Sequence, residues 1–66
     1  MDDEFNMSMR KFLKQVGVTS QQAIEAAMRD AGASATGKTF EARVVLTIDG
    51  LDLEHVVTGK IVSPSE

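Results

Sequence analysis

Residues 40–57 read FEARVVLTIDGLDLEHVV, and the fold turns on this stretch. Phe40, Ala42, Val44, Leu46 and Ile48 alternate with Glu41, Arg43, Val45, Thr47 and Asp49. A period of two is what a strand with one covered face shows. Asp49-Gly50 then supplies the residues of a two-residue type I′ turn, in which both central positions need positive φ. Folding the chain there pairs Ile48 with Leu51, Leu46 with Leu53, Val44 with His55 and Ala42 with Val57, all on one apolar face. A one-residue slip would throw that set to the other side, so the turn and the pattern specify the same face. The β-hairpin is expected over residues 40–62. Ser63, Pro64, Ser65 and Glu66 read as a frayed tail.

Upstream the period changes to 3.6. Phe5, Met9, Phe12, Leu13 and Val16 share one face of a helix, with Asp2, Asp3 and Glu4 at its positive end and Arg10, Lys11 and Lys14 toward its negative end. Gly17 reads as a left-handed stop, and Thr19 with Gln22 as a capping box that opens a second helix from about Ser20 to Ala31. Ile24, Ala27, Met28 and Ala31 form its stripe, Glu25 and Arg29 an i,i+4 pair, and Gly32 its end. The expected fold is α+β: an αα-hairpin over 5–31 packed on one face of the β-hairpin. An acidic lead (1–4) and a flexible linker (32–39) complete a single domain.

The 66 residues carry a net charge of −3 and no cysteine, which excludes disulfides and thiolate metal sites. A domain of this size buries roughly 60% of its unfolded surface, so oligomerisation is the natural supplement to its core. No apolar run is long enough for a membrane span or a signal-peptide core, and the chain reads as cytoplasmic.

Residues 32–39, GASATGKT, satisfy the phosphate-loop pattern letter for letter. That chemistry needs a strand before the loop and a helix after it, and here the order is reversed. The segment is a linker, with no nucleotide and no other cofactor implied. One histidine, five serines and no cysteine assemble no nucleophile, base and orienting acid. His55 belongs to the apolar face opposite Val44, as a core or rim histidine. Asp49, Asp52 and Glu54 read as edge protection around the turn. Met1, Met7, Met9 and Met28 read as core filler.

The helix–VGVTS–helix segment also suggests a helix-turn-helix, with the hairpin as a wing. Its recognition helix would present Ser20, Gln21, Gln22, Glu25, Arg29 and Asp30, a net acidic set poorly suited to phosphate. A winged-helix nucleic-acid binder is therefore the alternative to a non-enzymatic interaction or regulatory module acting through protein contacts. Candidate partner-binding residues are Arg10, Lys11 and Lys14, the only basic cluster, and Val56 and Thr58 on the edge of the second strand. That edge suits either a homodimer or a strand from another protein.

Finally, FNMSMRKFLKQVGVTSQ (5–21), VLTI (45–48), Gly50-Leu51 and LEHVV (53–57) resemble a family of short, uncharacterised proteobacterial proteins. The linker lies outside those blocks. The resemblance implies a bacterial cytoplasmic protein and transfers no catalytic residue.

Overall fold

The computed structural model describes residues 2–64. The chain falls into two compact units, Met1–Gly32 and Ala33–Glu66. Its elements are a helix α1 (Asp3–Ala31), one 3-10 turn (Gly32–Ala35), and strands β1 (Thr39–Thr47) and β2 (Glu54–Val62).

The αα-hairpin expected from Gly17 does not form: α1 is one helix of 29 residues. A glycine inside a helix costs about 1 kcal/mol relative to alanine. A break there would leave a further set of four N–H and four C=O groups without helical partners. Thr19 follows the helix rather than capping a new one, its Oγ1 donating to the Gln15 carbonyl at 2.8 Å. The two apolar stripes also run into each other. At 100° per residue, Phe5, Met9, Phe12, Leu13 and Val16 continue through Ser20 to Ile24, Ala27 and Ala31 on one side of α1.

The ends of α1 follow the local chemistry. Asp2 is the N-cap, accepting the Phe5 N–H at 2.8 Å, with Asp3 and Glu4 in the first turn. Gly32 closes the other end at φ 59°, its N–H donating to the Met28 carbonyl. Arg29, not the earlier basic cluster, occupies the last turn. Arg10, Lys11 and Lys14 sit mid-helix, with Lys14 about 25 Å from the C-terminal end at 1.5 Å per residue. They do not complement the macrodipole. The methionines are not core filler either: Met7 lies opposite the stripe at 69% exposure, Met9 is exposed and Met28 half-buried. Met1 lies outside the described residues.

The β-hairpin forms with a longer connection than expected. Its antiparallel register runs from Thr39↔Val62 to Thr47↔Glu54, placing Leu46 opposite His55, Val44 opposite Val57 and Ala42 opposite Gly59. This is two residues away from the register of a two-residue turn. Gly50 has φ 88° while no described residue other than glycine has positive φ, so Asp49 stays at negative φ. With the Leu51 N–H donating to the Ile48 carbonyl at 3.1 Å, residues 48–51 match a type II turn rather than type I′. Type II spares Asp49 a left-handed conformation, but its twist does not match that of paired strands. Ile48, Leu51 and Leu53 accordingly leave the ladder. Because the shift is two residues, no side chain changes face.

Phe40, Ala42, Val44 and Leu46 of β1 thus share a face with His55, Val57, Gly59 and Ile61 of β2. Ala42, Leu46 and Ile61 are its half-buried members. On the opposite face Glu41 stands across from Lys60, Arg43 from Thr58 and Val45 from Val56. Neither the linker nor the tail is as loose as expected. Ser63 is 5% exposed, and its N–H donates to the Lys38 carbonyl at 2.9 Å. The Lys38 N–H is shared between Ser63 Oγ at 3.1 Å and the Ala35 carbonyl at 3.2 Å. Ala35 is buried, at 3% exposure. Ser65 and Glu66 lie outside the described residues.

Candidate interaction surfaces

The outer edge of β2 is defined by hydrogen-bond parity. The Ser63 N–H to Lys38 carbonyl bond joins residues of the same register as the ladder. In an antiparallel pair such positions alternate with ones whose backbone groups point away. Residues 55, 57, 59 and 61 therefore bond to β1, while Glu54, Val56, Thr58, Lys60 and Val62 turn their N–H and C=O groups outward. The candidates Val56 and Thr58 both fall in this outward set. The two-residue change of register leaves that assignment intact. β1 has a corresponding edge at Thr39, Glu41, Arg43, Val45 and Thr47.

The side chains around this edge are accessible. Residues 54–60 are all exposed, and on the apolar face Val44 and Val57 stand 49% and 51% exposed. A Cβ built on Gly59 meets nothing within 4 Å, so the face has an opening beside Ala42. His55 is an exposed rim residue opposite Leu46 rather than Val44.

On α1, Lys11 and Lys14 lie on the side away from the apolar stripe and Arg10 flanks it, and all three are exposed. The stripe itself is open: Phe5, Met9, Phe12, Leu13 and Ile24 are 39–50% exposed. Glu25 on the polar side accepts from Gln21 Nε2 at 3.3 Å.

The phosphate-loop pattern lies between a helix end and a strand start, opposite to the order that cradles phosphate. Its Lys38 N–H already serves Ala35 and Ser63. Among the described residues, no group of three or more His, Cys, Asp or Glu is placed to hold a metal ion. No described helix is long and apolar enough to cross a membrane.

One residue of the edge, Lys60, escapes the sequence reading. A two-residue turn sets Lys60 opposite Thr39 instead of Glu41, whereas Glu54 already reads as edge protection. The type II turn is the missing signal.

A model of a family of unknown function, DUF6494, matches residues 1–64. No curated protein and no solved structure matches the chain.

Proposed function

The chain belongs to the DUF6494 family, and we propose that it is a non-enzymatic interaction module that works by accepting an extended strand on the outer edge of β2. The observation that carries this reading is the row of outward backbone groups at Glu54, Val56, Thr58, Lys60 and Val62. A two-stranded sheet is marginal by itself, and strand addition satisfies such a row while extending the apolar face beside it. The nucleic-acid alternative rested on a turn between two helices. With α1 unbroken through Gly17, no separate recognition helix is set at an angle to the first, and that alternative loses its support.

The experiment is association measured by light scattering, and by affinity capture from cell lysate, for the wild type, Thr58→Pro and Lys11→Glu. Thr58 has an outward N–H, so proline there blocks an added strand without removing a β1–β2 hydrogen bond. Association should be lost in Thr58→Pro and kept in Lys11→Glu. Survival in Thr58→Pro with loss in Lys11→Glu overturns the reading and moves the site to the Arg10/Lys11/Lys14 face.

A further inference from the structure

We infer that the strand accepted by β2 is β2 of a second copy of this chain, antiparallel, with the two-fold axis at Val57. This inference rests on the proposed edge function and adds the identity and register of the partner. In that register residue pairs across the new interface sum to twice 57. Glu54 then faces Lys60 of the second copy, Val56 faces Thr58, and each pair occurs twice by symmetry. These are outward-bonding positions, so about eight backbone hydrogen bonds form.

Three features of the hairpin select this arrangement. The first is charge. Lys60 already stands opposite Glu41 within the chain, so Glu54 of the second copy completes a row alternating in sign, Glu–Lys–Glu. Opposite charges directly across a ladder are favourable, and no like charges meet. Moving the axis to Thr58 would set Glu54 against Val62 and Lys60 against Val56, losing both pairs.

The second feature is the apolar face. Val44 lies opposite Val57, so an axis at Val57 puts four valines in one unbroken row across a four-stranded sheet. The third is the opening at Gly59. The pairing sets His55 of the second copy directly across from it, where a ring has room to lie over the glycine. The β1 edge offers a rival pairing, Glu41 against Arg43 of a second copy. It would place Ala42 against Ala42 and line up Gly59, two alanines and Gly59 across the face, leaving a gap where the β2 pairing fills one.

The chain has no cysteine, so single cysteines report the register directly. At the axis, Val57 meets its own copy as a non-hydrogen-bonded pair with Cα atoms about 4.5 Å apart, inside the range that a disulfide spans. In a glutathione redox buffer Val57→Cys should accumulate as a covalent dimer, and Val56→Cys, Thr58→Cys and Ala42→Cys should not. A maximum at position 58 or 42 overturns the register or the edge. The register sets Glu54 opposite the uncharged Thr47, so Glu54→Lys tests the interface without opposing like charges across the β1–β2 ladder. It should weaken dimerisation about tenfold. An equimolar mixture of Glu54→Lys and Lys60→Glu, each shown folded by circular dichroism, should recover as a heterodimer; no recovery counts against the pairing. A wild type that stays monomeric at hundreds of micromolar, yet captures a lysate protein through an interaction that Thr58→Pro abolishes, defeats the second-copy inference and leaves the proposed function standing. A monomer whose capture survives Thr58→Pro defeats both.

Discussion

Gly17→Ala separates one helix from two by the sign of a stability change. In α1 residue 17 is interior, its φ is not positive, and an added Cβ meets nothing within 4 Å. Alanine there is favoured over glycine by about 0.8–1.0 kcal/mol, with no steric cost to subtract. For a chain of this length, 1 kcal/mol moves the melting midpoint by about 4–8 °C, so a rise of about 3–8 °C is expected. A glycine acting as a left-handed helix stop behaves oppositely, since a Cβ in that conformation costs about 1–2 kcal/mol. Thermal melting followed by far-ultraviolet circular dichroism reads the sign, and the helical signal at low temperature should stay level or increase. A lower midpoint would refute the continuous helix and restore a bend at Gly17.

The turn makes a second prediction. Asp49→Pro should be neutral within about 0.5 kcal/mol, because proline suits the second position of a type II turn, whereas Gly50→Ala at φ 88° should cost about 1 kcal/mol or more in urea denaturation. A strongly destabilising Asp49→Pro would return positive φ, and type I′, to Asp49. Asp2→Ala should cost about 1 kcal/mol of helix stability by leaving the Phe5 N–H uncapped, seen as faster amide exchange in the first turn of α1. Titration with ATP and Mg²⁺ should leave the amide resonances of Gly37, Lys38 and Thr39 unmoved, and saturable shifts at micromolar nucleotide would overturn the reading of that loop.

How much of this was readable in the residues depends on which physical signal each element rests on. The apolar alternation over residues 40–48 marks a strand face whatever the turn does, and a register change of two preserves it. The faces were therefore legible and the partner residues were not. Asp-Gly is compatible with both type I′ and type II turns, and only the φ of Asp49 decides between them. Gly17 misled for a related reason. Glycine permits a left-handed stop but does not require one, and Thr19 is equally able to cap a new helix or to bond back to Gln15. The decisive sign was present at longer range. Val16, Ser20, Ile24, Ala27 and Ala31 continue the first stripe in steps of four, four, three and four, which two helices joined at an angle have no reason to maintain. Ser63 was hidden by its neighbour Pro64, which reads as the start of a tail. Its burial depends on Lys38, 25 residues away, a pairing that no local pattern announces.

The same parity explains why the candidate edge survived an incorrect loop. Which backbone groups of β2 face outward depends on whether a residue is odd or even in the ladder, not on which β1 residue it meets. Val56 and Thr58 are outward in both registers. The side-chain chemistry along the edge is more demanding, since it depends on the pairing itself. Lys60 gains its opposition to Glu41 only after the two-residue shift, and the alternating charge row that would orient a second copy does not exist without it. In the proposed function the backbone of β2 would accept any strand, while Glu54 and Lys60 at its two ends would restrict which strand and which register are favoured. In the proposed pairing the type II turn at Asp49-Gly50 contributes by placing Glu41 beside Lys60 and Val44 beside Val57, although it lies remote from the residues that would make contact. A change that forced that turn to type I′ would leave the edge open and the Glu54–Lys60 pairs in place, but would put Thr39 in the position of Glu41 and Ala42 in the position of Val44 in those rows.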